Sequence, residues 1–213
     1  MSWEMMLVEG ARSGDANSVR AALMSNVDVN ARYGGDSALK AAVLGDNHKV
    51  VDMLLANRAD CGIPDEKWGR TPLHYAAATH SGPKIVNLLL EHGANIEGLD
   101  QNGDSVLHFI TDNIGNTPTD SYTERDALRA LQLLMEHGAL PCVAVDNMDG
   151  EFPIDLLKPK QRLVRSYLVT QMKLRCTQFC AAIEPFIVVR EVANVVAEYL
   201  CCWGMRGKAL TCL

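Results

Sequence analysis

The chain has no surplus of positive charge. Its 20 lysines and arginines face 26 aspartates and glutamates, a formal net charge of -6 with a pI near 5.5. That balance argues against the broad basic surface that holds nucleic acid by its phosphates. No apolar run approaches the roughly 18–20 residues needed to span a bilayer, so no membrane role is expected. The opening MSWEMMLVEGARSGD carries acid early and lacks a basic region followed by an apolar core, so no secretory signal is read there. Catalytic patterns are missing as well: no serine–histidine–acid arrangement, no glycine-rich phosphate loop and no H-E-x-x-H. No C-x-x-C pair occurs. Seven cysteines, an odd number gathered mostly near the C-terminus, suit a reducing compartment better than a disulfide framework. The expected setting is cytoplasmic or nuclear.

Metal is expected to be absent too. Cys176 and Cys180 stand four apart and would share a helix face, and Cys201 and Cys202 follow, but no histidine lies in the last 60 residues. These read as small buried thiols. No cofactor, no metal site and no catalytic residue is assigned.

What is present is a repeat, in a chain of 213 residues that is 48% hydrophobic and 22% charged and therefore globular. Leu39, Leu73, Leu107 and Ile154 each stand four residues after a glycine, namely Gly35, Gly69, Gly103 and Gly150. Each of the first three then runs into an apolar segment: VVDMLLANRAD, IVNLLLEHGAN and, after a longer gap, LQLLMEHGA. A degenerate earlier unit spans Val8 to Arg32. The extra length of the third unit is absorbed by IGNTPTDSYTE, Ile114 to Glu124, which is polar and contains proline and so reads as a loop between two helices.

Local physics gives each unit its form. In RTPLHYAA, Pro72 suits the first turn of a helix, where its missing N–H goes unused, and Thr71 before it is an N-cap. Ala76 and Ala77 are small enough for neighbouring helices to approach. The second helices end in EHGA, Glu91–Ala94 and Glu136–Ala139, with glycine where a left-handed C-cap is needed. His92 and His137 sit at those C-termini, where a cation suits the helix dipole. A unit of turn, helix, loop and helix cannot bury its apolar face alone, so the units must stack.

GRTPLHYAA and LLLEHGAN, together with DQNGDSVLH and GDSALKAA, resemble the ankyrin repeat family; DGEFPIDLL is a weaker match. The resemblance covers about Val8 to Gln171. It implies an all-α ankyrin-repeat solenoid over residues 1–171, in units of approximately 8–32, 33–64, 65–99, 100–144 and 145–171, with a C-terminal helical segment over 172–213. It also implies that His74 and His108 bond to the backbone of their own and neighbouring turns. Lys40 and Asp155 at the same position argue against a shared catalytic role. The implied activity is noncovalent binding of a protein partner on the concave face. Matched residue by residue, the turn positions are Tyr33 and Asp36, Lys67, Trp68 and Arg70, Gln101, Asn102 and Asp104, then Met148, Asp149 and Glu151. On the first helices, Tyr75 and Phe109 follow the signature histidines. Trp68, a large aromatic flanked by two cations, reads either as an interface hot spot or as a tryptophan folded back over its own turn.

The C-terminal third changes character. FIVVREVANVVAEYLCCW places Val189, Val192, Val196, Tyr199 and Trp203 at three- and four-residue spacing, an amphipathic helix whose simplest role is to cap the last repeat. EVANVVAEYL also resembles the first helix of an F-box, as in poxviral and intracellular-bacterial ankyrin proteins. That resemblance implies an adaptor helix of Glu191, Val192, Val196, Tyr199 and Leu200, recruiting a Skp1-like subunit of a cullin ubiquitin ligase. An effector of that kind would act in the host cytoplasm. The Leu-Pro expected before the glutamate is replaced by Val189-Arg190.

Overall fold

Helix pairs build the chain in a computed structural model. The model describes residues 2–77, 79, 82–114, 123–139, 145–158 and 161–183, with the side chains of the last helix described as far as Leu174. The chain divides into two compact units, Met1–Leu168 and Val169–Leu213. In the first, α1 (Trp3–Ser13) pairs with α2 (Ala16–Met24), α3 (Ala38–Leu44) with α4 (His48–Ala56), α5 (Pro72–Ala76) with α6 (Gly82–Glu91), and α7 (Val106–Asn113) with α8 (Glu124–Glu136). The first helices of successive pairs pack as one row, α1 on α3 on α5 on α7. The second helices pack as another, α2 on α4 on α6 on α8. This is the all-α solenoid that the resemblance to ankyrin repeats implies.

The core lies between the two rows. Leu39, Leu73 and Leu107, the leucines of the repeat, are all but inaccessible, as are Leu54, Leu89, Leu131 and Leu134 of the second helices. Each such side chain contributes roughly 1.5–3 kcal/mol by leaving water. Alanines at Ala41, Ala42, Ala76 and Ala77 are fully buried where the rows meet, which is the close approach that small residues permit. The four repeat glycines all adopt positive φ, between 69° and 87°. Gly93 and Gly138 end α6 and α8 the same way, while Asn26 and Arg58 hold the matching left-handed slot after α2 and α4 without glycine's freedom.

The only described strands are two residues long. β1 (Arg32–Tyr33) and β2 (Asp36–Ser37) form an antiparallel hairpin around Gly34 and Gly35, both at positive φ, as a two-residue turn requires.

Two elements differ from the sequence reading. Glu124, placed at the end of a loop, is already the first residue of α8, because Thr123 and Asp126 cap that helix reciprocally. The interior of that segment, residues 115–122, lies outside the described residues. In the last unit Ile154 starts no helix. Residues 153–156 form only hydrogen-bonded turns, Asp155 N–H to Phe152 O and Leu157 N–H to Ile154 O. Pro159 explains the short run, since the residue before a proline is pushed out of helical geometry. The segment after Leu157, whose interleaved basic and apolar residues suit one long helix or two, forms one 22-residue helix, α9 (Arg162–Ile183). The proposed adaptor residues Glu191, Val192, Val196, Tyr199 and Leu200 lie outside the described residues. None of the described helices is long and apolar enough to cross a membrane.

Candidate functional site

The turns around Gly69, Gly103 and Gly150 are each tied by one Asx residue, whereas the turn before α3 is the Gly34-Gly35 hairpin. Asp100 accepts N–H bonds from Asn102 and Asp104, and Asn147 accepts them from Asp149 and Glu151. Asp65 does the same for Trp68 and Arg70, at 2.8 and 3.1 Å. Its turn is one residue longer: Asp65 N–H closes on Arg70 O, whereas Asp100 closes on Asp104 and Asn147 on Glu151. Successive tips are joined by backbone bonds, Gln101 N–H to Trp68 O and Met148 N–H to Asn102 O, both 2.9 Å. The sequence carries a signal for these anchors, Asp or Asn three or four residues before Gly69, Gly103 and Gly150, and the sequence reading passed over it.

Side chains extend the same order between units. Arg12 pairs with Asp36 at 2.6 Å, Asp36 with Lys40 at 2.7 Å, and Lys40 with Asp65 at 3.2 Å. The Tyr75 hydroxyl donates a short bond to Asp65, and Lys40 lies 5.1 Å from the Tyr75 ring. Burial pushes Asp65 upward. The Tyr75 hydroxyl, the Trp68 and Arg70 N–H groups and Lys40 outweigh it and lower its pKa to about 2. Burial also opposes the Lys40 charge, but Asp36 and Asp65 hold that pKa above its ordinary value. Tyr75 is pushed up to about 12, by burial first and then by the Asp65 carboxylate.

Trp68 is 39% exposed and lies between two cations, Lys67 at 4.9 Å and Arg70 at 5.3 Å from its ring centre. The Arg70 guanidinium also covers the Phe109 ring at 4.3 Å and bonds Asp100 at 3.0 Å. The tryptophan is therefore braced from its own turn and from the next unit while an area stays open to solvent.

The signature histidines are held structurally. His108 Nδ1 accepts from the Ser105 N–H at 3.0 Å, and its Nε2 donates to the Glu151 carbonyl of the next turn at 2.9 Å. His74 Nδ1 likewise accepts from the Thr71 N–H. Its Nε2 finds no partner at hydrogen-bonding geometry, although it faces the carbonyls of Asp104 and Gly98. Burial pushes the His74 pKa down, so it is neutral. Asp155 fills the same role by accepting from the Phe152 N–H, and Lys40 reaches the next turn through Asp65. His108→Ala should therefore destabilise the stack by about 1 kcal/mol more than His74→Ala, the worth of the additional bond, in paired urea melts. His92 and His137 bond the carbonyls four residues back, each at 2.9 Å, and so satisfy helix C-termini.

The residues expected to bind a partner fall into three groups. Tyr33, Lys67, Trp68, Gln101 and Asn102 are exposed on the tips. Asp36, Arg70, Tyr75 and Asp104 are half-buried and engaged: Asp36 and Arg70 in ion pairs, Tyr75 on Asp65, and Asp104 as acceptor from the Asn147 amide at 3.0 Å. Phe109 is 9% exposed, its ring set edge-on to His74, and it offers little area to a partner. Among the described residues no group of histidine, cysteine, aspartate or glutamate is arranged to hold a metal ion.

A family model described as ankyrin repeats (three copies) matches residues 7–100 and 47–145. The chain belongs to the ankyrin repeat family. Among known ankyrin relatives, the B-cell lymphoma 3 protein homolog of Mus musculus is 39% identical over 89 residues, 41% of this chain and 20% of that protein. The RelA-associated inhibitor of Mus musculus is 34% identical over 93 residues, 43% of this chain and 11% of that protein. A Danio rerio protein provisionally named as the palmitoyltransferase ZDHHC13 is 30% identical over 230 residues, covering 94% of this chain and 33% of that protein. The chain thus spans a third or less of the length of each of these relatives. Ankyrin repeats are an interaction fold: they imply a protein–protein interaction module and do not by themselves supply catalysis.

Proposed function

We propose that this chain binds a protein partner noncovalently through its row of turn tips, with Trp68 at the centre of the contact. The observation that carries this reading is the bracing of Trp68. Its turn is tied to Asp65, its carbonyl is bonded to the next tip, and its ring is held between Lys67 and Arg70 with 39% of the residue open. An aromatic already fixed in place loses little freedom on binding, which is what makes such residues dominant in interfaces. Tyr33 and Met148, exposed at 38% and 78%, add apolar area along the same row.

The RelA-associated inhibitor is named for association with RelA, and we extend from it only the mode, protein association. The acyl transfer in the name of the Danio rerio relative is not carried over, because this chain spans only 33% of that protein. The reading of this chain as a non-enzyme rests on the family. A reducing compartment, cytoplasm or nucleus, fits the free thiol of Cys61. The ubiquitin-ligase adaptor reading rests on the sequence of residues 191–200 alone, and no observation of the structure favours it.

The test is a titration. A partner captured by proximity labelling should bind Trp68→Ala more weakly by about 2 kcal/mol, roughly thirtyfold, with helicity unchanged. Unaltered affinity would move the site off this tip.

A further inference from the structure

The turn tips share one backbone pattern, so their side chains can be compared place by place. Two residues before the repeat glycine stand Lys67, Gln101 and Met148. Directly before it stand Trp68, Asn102 and Asp149, and directly after it Arg70, Asp104 and Glu151. The bonds that fix each tip run through backbone N–H and C=O groups, which any residue but proline supplies. The backbone pattern therefore leaves the charge open at exposed places such as Lys67, Asp149 and Glu151, whereas Arg70 is tied to Asp100 and Asp104 accepts from Asn147. Even so, the charge changes sign along the row, from two cations at one tip to carboxylates at the next two.

The same partition appears along the chain. Residues 85–157 contain 13 aspartates and glutamates against two arginines, whereas residues 1–84 contain ten acids and nine bases. Compensation changes with it. Asp36, Asp65 and Asp100 each have a cation within 3.2 Å. Asp149 and Glu151 are exposed, and among the described residues neither has an ion-pair partner. Between them and Asp104 lies Met148, 78% exposed, its side chain over Gly103. The exposed carboxylates of Asp149 and Glu151 repel one another, and Met148 leaves apolar surface in water. An occupant with positive charge and an aliphatic part relieves both.

We propose that the last two tips dock an extended, lysine- or arginine-bearing segment of the partner protein. Met148 takes one of its apolar side chains, and Asp104, Asp149 and Glu151 face its cations. Lys67 and Arg70 set the direction, since they repel the basic end and leave it over the acidic tips. Stacked helices stand about 8–10 Å apart, so about three extended residues cover each tip. This inference rests on the tip row being the binding surface, and adds the chemistry of what binds.

The probe is a displayed library of random twelve-residue peptides, panned on the full chain at low salt and re-measured by fluorescence anisotropy. Recovered peptides should carry net positive charge and lose affinity as salt rises, because exposed charges are screened within about 10 Å at 0.1 M. Asp149→Lys with Glu151→Lys should weaken them at least about tenfold, mostly through slower association, with an unchanged melt. Neutral or acidic peptides, an empty selection, or indifference to the double reversal would overturn the proposal. Peptides lost on Trp68→Ala but indifferent to the reversal would leave the tip row as the binding surface and remove only its basic partner. Peptides indifferent to both would remove both.

Discussion

Asp65→Ala should destabilise the repeat stack by about 3–5 kcal/mol in urea unfolding, more than any tip substitution that leaves a carboxylate in place. The carboxylate is 2% exposed and accepts from four groups: the N–H of Trp68 and of Arg70, the Tyr75 hydroxyl and the Lys40 ammonium. Alanine leaves all four donors without that acceptor, and Lys40, only 15% exposed, keeps just Asp36. Asp65→Asn should cost less, since its amide oxygen still serves two donors. The pH dependence has a definite sign. A folded pKa near 2, below the ordinary value of about 4, adds stability that is fully present above that ordinary value and is lost as pH falls towards 2. The wild-type chain should lose stability more steeply than Asp65→Asn between about pH 5 and 2. Parallel acid curves for the two would show that the charge of Asp65 is not what holds the turn.

That anchor also marks the limit of what the sequence discloses. Helices, glycine caps and stacking were legible because each follows from local spacing: proline at a first turn, alanines where helices meet, glycine where φ must be positive. The role of the signature histidines was legible from the resemblance, since Lys40 and Asp155 at the same position exclude a common chemistry. Partnerships between units were not. Arg70 to Asp100, Lys40 to Asp65 and Asn147 to Asp104 join residues 25 to 43 positions apart, and no local pattern pairs them. For the same reason Phe109 read as a surface aromatic, whereas Arg70 and His74 cover it from the preceding unit. The last unit failed as a helix pair through Pro159, whose effect on the residue before it outweighs the apolar pattern of PIDLL.

Arg70→Ala should lower stability by about 3 kcal/mol and, in the same stroke, weaken partner binding, although Arg70 itself is half-buried. Its guanidinium meets three groups at once: Asp100, whose side chain is fully buried, the Phe109 ring and the Trp68 ring. Removing it leaves a buried carboxylate with only its two N–H donors and takes one supporting face from the exposed tryptophan. Arg70→Lys should recover less than half of the loss. An ammonium can approach Asp100 as a point charge but cannot lie flat against two rings while doing so. A double-mutant cycle with Asp100→Asn should give a coupling of about 1 kcal/mol or more, since the two residues share one buried contact. The binding effect separates two roles. If Arg70 braces Trp68, then Arg70→Ala in a chain already carrying Trp68→Ala should weaken binding no further, because the braced group is gone. A full additional loss in that background would mean that Arg70 touches the partner directly, and the tip would then offer a cation rather than a positioned aromatic.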